Sequence, residues 1–184
     1  MKIIKYFFEF TSIISLFCIF KIIGLKNASN LGSILGRLIG PLFRSKNITK
    51  QNIKIGLGNL DEKKEEEIIN GMWSNIGRTF AEYVFLKDFK LNKTNFDHIK
   101  INGTNYLNEI KTTNKPVVFF SCHLANFELM AMELDKFGIK CAAIYRPLNN
   151  IFLNPLMEYL RMKYICPNQI PKGRVGVRDV IKKV

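Results

Sequence analysis

The chain has 184 residues, enough to bury one hydrophobic core of ordinary size. Its four cysteines lie far apart in the sequence, without the spacing of a disulfide frame or a zinc site. Hydrophobic residues make up 47% of the sequence while the formal net charge is +13, a combination that indicates an anionic membrane surface or an anionic lipid substrate. A nucleic-acid binder of similar charge is disfavoured, because the sequence has no Arg/Lys-rich recognition helix and no aromatic RNA-binding motif.

The first predicted element is an apolar helix from Ile3 to Leu25, interrupted by three charged residues. With its flanking lysines it reaches the roughly 20 residues that a bilayer requires. We interpret residues 1–26 as an uncleaved membrane anchor, with an interfacial or core helix and a cleaved signal peptide as the alternatives. Basic residues but no acids lie between Phe20 and Asp61, and the positive-inside rule then places the rest of the chain in the cytoplasm.

A second helix is predicted over residues 31–43, where apolar side chains recur at intervals of three and four. Gly32, Gly36 and Gly40 form another stripe on the same helix. Small residues at this spacing allow the helix to approach another helix or lipid closely. The simpler alternative is that this segment is an ordinary core helix, weakened by its glycines. Pro41 should kink or end this helix.

A third helix begins in the acidic run from Asp61 to Glu67, which complements the positive end of the helix dipole. Further along it, Asn75, Arg78 and Glu82 share a polar stripe. Arg78 and Glu82 lie one turn apart, and a surface ion pair is the simpler interpretation of that spacing. Residues 27–92 are therefore expected to form a helical, membrane-associated segment.

From residue 93 onward, short apolar segments alternate with helical patterns, and this order predicts an α/β domain over residues 93–184. We expect a largely parallel sheet flanked by helices, with its chemistry at the carboxyl ends of the strands. The predicted strands are Ile99–Ile101, Val117–Phe120 and Ile139–Tyr145. The predicted helices lie around Tyr106–Ile110 and over Phe127–Phe137, Asn154–Lys163 and Arg174–Lys183.

His123 follows the predicted strand Val117–Phe120 and precedes a predicted helix that contains Glu128. A histidine before a helix N-terminus stays a competent base, and a carboxylate that accepts from its other ring nitrogen would fix its tautomer. Ser121 and Cys122 are candidate nucleophiles, but an acyl-enzyme is disfavoured because Cys122 would point away from His123 along a strand. A purely structural histidine is the alternative.

Arg146 also follows a predicted strand, which would place it at the same edge of the sheet as His123. A guanidinium there suits a phosphate or carboxylate of the substrate. A structural arginine that ties down the following loop is the alternative. Arg174 and Arg178, with Lys172, form a second basic group, for which a solvated helix face is the simpler interpretation.

Two motifs carry a family resemblance: His-Leu-Ala-Asn-Phe-Glu at residues 123–128 and Tyr-Arg-Pro-Leu-Asn-Asn at residues 145–150. Together they resemble the bacterial lipid A biosynthesis (lauroyl/myristoyl) acyltransferases, the His-x4-Asp/Glu type. Asn-Ile-Gly-Arg at residues 75–78, Glu82 and the Gly-Arg-x-x-x-Arg of residues 173–178 add to the resemblance. It implies an inner-membrane enzyme whose catalytic side faces the cytoplasm and whose partners are acyl carrier protein, a lipid A precursor and membrane lipids.

By that resemblance His123 would deprotonate a hydroxyl on an acyl chain of the acceptor, with Glu128 orienting the imidazole. The alkoxide would attack the thioester of acyl carrier protein, which is a co-substrate, so neither a cofactor nor a metal is expected. Arg146 would hold an acceptor phosphate, and Asn126, Arg174 and Arg178 are assigned to substrate binding. Nucleic acid is not an expected partner.

The resemblance has one departure, because the chain stops at Val184 whereas members of the family continue through further strands. We therefore expect the C-terminal part of the family fold to be missing. One alternative function is a glycerolphosphate or lysophospholipid acyltransferase, which typically has Asp where Glu128 stands. The others are an inactive membrane-bound fragment and a basic protein that binds anionic lipid or nucleic acid.

Overall fold

The computed structural model describes residues 1–94, 98–113 and 115–181, and most of them are helical. The N-terminal half consists of α1 (Lys2–Ile23), α2 (Leu25–Ile39), a 3₁₀ turn (Gly40–Leu42), α3 (Lys46–Leu57), α4 (Glu62–Glu82), a second 3₁₀ turn (Tyr83–Phe85) and α5 (Leu86–Lys90). The remainder consists of α6 (Thr104–Thr113), α7 (Glu128–Lys136), β1 (Ala142–Tyr145), α8 (Leu153–Tyr164), β2 (Asn168–Pro171) and α9 (Arg174–Ile181).

The residues group into two compact units. The first comprises residues 1–14, 86–123 and 127–184, and the second comprises residues 15–85 and 124–126. These boundaries differ from those of the predicted domains 1–26, 27–92 and 93–184, whose status as domains stays a prediction.

In the second unit, α2 packs along α4 through glycines. A Cβ atom added to Gly32 would lie only 2.7 Å from the Cβ of Ala81, and one added to Gly36 or Gly77 would collide with the backbone of the facing helix. The predicted small-residue stripe is therefore a close helix–helix contact, the first of the two interpretations given above. The α-helical part of the segment ends at Ile39, and Pro41 lies in the 3₁₀ turn, as expected.

The apolar stripe of the same helix has the opposite environment. Most side chains of this stripe are exposed to solvent, and Leu38 at its centre is 69% exposed. The core of the second unit is instead formed from buried residues of α1, α2, α3, α4 and the second 3₁₀ turn, among them Phe17, Phe20, Ala28, Ile53, Trp73, Ala81, Tyr83 and Phe85.

The start of α4 follows the prediction from its acidic residues. The carboxylate of Asp61 caps the helix by accepting from the backbone N–H of Lys64 at 2.9 Å. Glu65 in the first turn lies 3.1 Å from the ammonium group of Lys50 on α3, and its hydrogen bond and charge raise the pKa of Lys50. This contact ties α3 to the N-terminal end of α4.

The first unit contains the sheet, which has two parallel strands. Ala142 pairs with Asn168 and Tyr145 pairs with Pro171, with α8 connecting β1 to β2. The observed strand is thus shorter than the predicted one, Ile139–Tyr145. The predicted helices 127–137 and 154–163 correspond to α7 and α8 within a residue at each end. The predicted helix 174–183 corresponds to α9 up to Ile181, and its last two residues lie outside the described part of the chain. Parallel pairing and the α/β mixture agree with the prediction, but the sheet is small.

Two predicted strands are wrong in this structure. Ile99–Ile101 and Val117–Phe120 have no regular secondary structure, and Val118 and Phe120 are 74% and 92% exposed. A strand exists only where a neighbour completes its hydrogen bonds, and within the described ranges β1 and β2 pair with each other. Continuous hydrophobicity therefore did not suffice to form a buried strand.

The four cysteines are free thiols in the structure. The sulfur atoms of Cys141 and Cys166 lie 3.5 Å apart beside the sheet, and Cys166 is fully buried. The hydrogen bond from Cys141 lowers the pKa of Cys166 to about 6, while the same bond and burial raise the pKa of Cys141.

The apolar N-terminal segment forms a single helix, α1, of 22 residues. By length and composition it is long and apolar enough to cross a membrane.

Candidate active site

His123 lies between α6 and α7. It belongs to a segment from Lys115 to Phe127 that has no regular secondary structure. Its side chain is exposed, and its imidazole packs on the ring of Phe127 with the ring centroids 4.3 Å apart. Because Val117–Phe120 is not a strand here, His123 does not follow a strand end. The expectation that His123 and Arg146 share one edge of a sheet therefore has no support from the strand order.

The residues directly after His123 are held by α4. The carbonyl oxygen of Ala125 accepts hydrogen bonds from the Nδ2 of Asn75 at 3.1 Å and from the Oγ1 of Thr79 at 3.2 Å. Ala125 has a φ of +47°, in the left-handed region that costs an L-residue about 1–2 kcal/mol. Two side chains one turn apart on α4 thus stabilise an unfavourable backbone conformation in the loop.

Asn126 is fixed by the next turn of α4. Its Nδ2 donates to Oε2 of Glu82 at 2.8 Å, and Oε1 of Glu82 accepts from the hydroxyl of Ser29 on α2, also at 2.8 Å. Nη1 of Arg78 donates to the same hydroxyl at 3.1 Å. Arg78 and Glu82, which the sequence presents as a surface ion pair, are therefore joined through Ser29 in a part-buried network that reaches the loop.

Glu128 is the first residue of α7, where the helix dipole favours a negative charge. It is only 9% exposed, and its Oε1 accepts from both Nε and Nη2 of Arg161, at 3.0 and 2.6 Å. Arg161 lies in the last turn of α8, and its guanidinium also lies over the ring of Tyr145. The predicted role of Glu128, to orient the imidazole of His123, stays a prediction.

Arg161 was missed by the sequence reasoning, and no local signal would have found it. It lies 33 residues after Glu128, and a basic residue at the C-terminal end of a helix is ordinarily explained by the dipole. Ser29 and Thr79 were missed for the same reason, because isolated hydroxyls carry no pattern until the fold brings their partners close.

The remaining predicted binding residues are arginines on the surface of the first unit. Arg146 is exposed directly after β1, and Arg174 and Arg178 are exposed on the first two turns of α9. Each guanidinium is accessible to an anionic ligand, and their assignment to substrate binding stays a prediction. As for metals, the described residues contain no group of three or more His, Cys, Asp and Glu side chains that would hold an ion.

The comparison with known families decides the class of the protein. The family model of the bacterial lipid A biosynthesis acyltransferases matches residues 1–166. The chain belongs to this family. The match includes His123, Asn126, Glu128 and Arg146, and it ends before Arg174 and Arg178. No curated protein and no solved structure matches the chain.

Family membership makes the protein an acyltransferase of lipid A biosynthesis, with a lipid A precursor as its substrate class. The resemblance carried by residues 123–128 and 145–150 is thereby confirmed. The identity of the acyl donor and the roles of individual side chains are separate questions.

Proposed function

We propose that the protein transfers a fatty acyl chain from acyl carrier protein to a hydroxyl group of a lipid A precursor, with His123 as the general base. The observation that carries the proposal is the exposed imidazole of His123, which directly precedes a segment held by three hydrogen bonds from α4. A base must reach a substrate that approaches from outside, and it must be held while it does so.

In the proposed reaction, an imidazole nitrogen of His123 takes the proton of the acceptor hydroxyl as the oxygen attacks the thioester carbonyl. The tetrahedral intermediate collapses with cleavage of the C–S bond. The thiolate of acyl carrier protein leaves and takes the proton back from the imidazolium, so the histidine returns to its neutral form. The products are an ester on the lipid and a free carrier thiol, and no further reactant is required.

Glu128 is proposed to orient the imidazole and to stabilise the imidazolium that forms during the reaction. Its hydrogen bonds from Arg161 support this role indirectly, because two donors on one guanidinium hold the carboxylate in a fixed position. Arg146 is proposed to bind a phosphate of the acceptor, together with Arg174 and Arg178. Asn126 is proposed to contribute to substrate binding from the position that Glu82 gives it.

We also propose that the protein works at the inner membrane, with its catalytic residues on the cytoplasmic side. The apolar helix α1 and the seven basic residues between Lys21 and Lys54, with no acid among them, support this location.

The decisive experiment is an acyl-transfer assay with acyl carrier protein as donor and a tetra-acylated lipid A precursor as acceptor. We expect His123→Ala to lower kcat by at least about 100-fold, the usual contribution of a general base. His98→Ala serves as the matched control, because His98 is the second of the two histidines and lies outside the motif of residues 123–128. Unchanged kcat in His123→Ala would exclude the base assignment.

Two further arms test the rest of the proposal. We expect Glu128→Gln to lower kcat and to change the pH profile of the reaction, whereas a residue that only supports the fold would lower the amount of active enzyme without moving the profile. Replacing the acceptor by a lysophospholipid tests the substrate class, and a higher kcat/KM with that acceptor would contradict the lipid A assignment.

A further inference from the structure

Asn150 lies in the loop that joins β1 to α8, and its side chain is nearly buried, with 7% of its surface exposed. Its Oδ1 accepts from the backbone N–H groups of Phe152 at 3.0 Å and Leu153 at 3.1 Å, where α8 begins. Its Nδ2 donates to the backbone carbonyl of Tyr6 at 2.9 Å and to Oε2 of Glu9 at 3.0 Å, both on α1. All five residues belong to the first unit, and one side chain joins three of its segments.

The two ends of the Asn150 carboxamide cannot be exchanged. A carbonyl oxygen only accepts hydrogen bonds, and an amide NH₂ group only donates them. The backbone N–H groups of α8 therefore require the oxygen, while the carbonyl and the carboxylate on α1 require the nitrogen. An aspartate of the same shape would place an oxygen against two acceptors, so this position requires an amide.

Glu9 is the one acidic residue of α1, a helix that is otherwise apolar apart from its lysines. Its carboxylate lies 3.8 Å from the ammonium group of Lys5, but both side chains are well exposed, and such an ion pair contributes little. The hydrogen bond from the nearly buried Asn150, a donor to a charged acceptor, is the stronger contact. The sequence presents Glu9 only as an interruption of an apolar run, because its partner lies 141 residues away.

The loop that Asn150 fixes also carries Arg146, whose side chain is exposed four residues earlier. Between them, the backbone N–H of Leu148 donates to Oδ1 of Asn154 on α8 at 2.7 Å. The loop is thus held to α8 by Leu148 and Asn150, and to α1 by Asn150 alone among these contacts. A guanidinium binds a phosphate well only when the backbone that carries it is held in place.

We infer that Asn150, through its hydrogen bonds to Tyr6 and Glu9, is a positioning residue that holds the Arg146 loop against the N-terminal part of α1 for binding of the acceptor phosphate. This inference rests on the proposed role of Arg146. The N-terminal part of α1 thereby contributes to acceptor binding through this contact. Loss of the contact weakens binding of the acceptor and its transition state alike, so it raises KM and leaves kcat nearly unchanged.

The test is the acyl-transfer assay, with KM measured for the tetra-acylated lipid A precursor. Asn150→Asp keeps the oxygen that α8 requires but places a second oxygen against Tyr6 and Glu9. We expect KM to rise at least about tenfold, with kcat within about threefold of the wild type. Adding Glu9→Gln supplies an amide donor from α1 and reverses the direction of that hydrogen bond. We expect this double variant to recover KM at least about threefold relative to Asn150→Asp alone.

Asn149→Asp is the matched control, because it adds the same charge to the adjacent, exposed residue. We expect it to raise KM less than Asn150→Asp does, and Glu9→Gln not to reverse the change. If Asn150→Asp does not fold, Glu9→Leu and Glu9→Gln decide the question. Leucine suits the apolar helix but removes the acceptor, whereas glutamine keeps an acceptor oxygen, so KM should rise only in Glu9→Leu.

Arg146→Ala, measured in the same series, separates this inference from the proposed function. A raised KM in Arg146→Ala together with a normal KM in Asn150→Asp would overturn the inference alone, as would a rise that Glu9→Gln does not reverse. An unchanged KM in Arg146→Ala would instead contradict the phosphate role of Arg146, and the inference would fall with it. Hydrogen exchange followed by mass spectrometry tests the contact itself. We expect faster exchange over residues 146–151 in Asn150→Asp than in Asn149→Asp, and equal exchange would overturn the inference.

Discussion

Ala125 is the residue on which the geometry of the candidate site depends most directly. Its left-handed backbone places its carbonyl toward α4, where Asn75 and Thr79 both donate to it. Thr79 is buried, so the loss of its hydroxyl would leave that carbonyl with one hydrogen bond fewer. Thr79 is therefore a positioning residue for the loop that joins His123 to Glu128.

We predict that Thr79→Val lowers kcat about tenfold, while the free energy of unfolding falls by only about 1 kcal/mol, the usual net contribution of one hydrogen bond. The two side chains have nearly the same shape, so packing changes little. The measurement is acyl transfer together with thermal unfolding in detergent.

Thr49→Val is the matched control for that variant. Thr49 is also buried, but its hydroxyl donates to the backbone carbonyl of Ser45, the N-cap residue of its own helix, α3. We expect a similar small loss of stability and no change in kcat. A normal kcat in Thr79→Val, or an equal decrease in both variants, would contradict the positioning role.

Candidate residues for the site could be named from the sequence, but their surroundings could not. His123 and Glu128 belong to one short motif, whose spacing is visible in the chain and which lies within the residues that the family model matches. The partners that hold them, Arg161 for Glu128 and α4 for the loop, lie far away in sequence. Such pairs follow from tertiary structure, and a single sequence contains no periodic signal for them.

At the scale of whole elements, the contact between α2 and α4 depends on the absence of side chains. A methyl group on Gly77 would collide with the backbone of Gly32, and the facing backbone cannot move without separating the helices. Exchange of glycine for alanine usually stabilises a helix by about 1 kcal/mol, but overpacking in a tight contact destabilises by about 1–3 kcal/mol.

We predict that Gly77→Ala lowers the thermal midpoint by several degrees, because the steric cost exceeds the gain in helix propensity. Gly71→Ala, in the same helix, is the matched control: Gly71 is exposed, and an added Cβ would have nothing within 4 Å. We expect that control to raise the midpoint slightly. Circular dichroism at 222 nm measures both, and equal midpoints in the two variants would exclude the proposed close contact.

Helices were predicted well from the sequence and strands poorly, for a physical reason. The periodicity and caps of a helix are local, as Asp61 at the start of α4 and Pro41 after α2 illustrate. A strand needs a partner elsewhere in the chain, so the apolar run Val117–Phe120 could not be assigned from its own residues. The environment of α2 shows the same limit, because its glycine stripe, and not its leucine stripe, packs on α4.

At the scale of the whole molecule, charge and hydrophobicity act on the same partner. The net charge of +13 attracts an anionic surface over a distance set by salt, whereas exposed apolar side chains act only after contact. A protein that binds membranes through both its charge and its apolar side chains should attach faster and more tightly to anionic vesicles than to neutral ones. It should not be released when salt is added afterwards. A binder of nucleic acid would be released.

We predict that the double variant Arg37→Gln with Arg44→Gln binds vesicles of mixed anionic and neutral phospholipid about 10- to 30-fold more weakly at 0.1 M salt, since each basic residue near such a surface contributes about 1 kcal/mol. Both side chains are exposed in the acid-free part of the chain. At 1 M salt, where the Debye length falls to about 3 Å, the variant and the wild type should bind equally. Flotation of the vesicles on a density gradient measures the bound fraction.

The matched control removes two positive charges from a different surface. Lys63 and Lys64 are exposed in the first turn of α4, among four glutamates, where the local field is not positive. We expect Lys63→Gln with Lys64→Gln to bind the same vesicles within about threefold of the wild type, because the change of net charge is identical but its position is not. Equal weakening of the two double variants would mean that only the total charge matters, and that the acid-free segment does not contact the membrane.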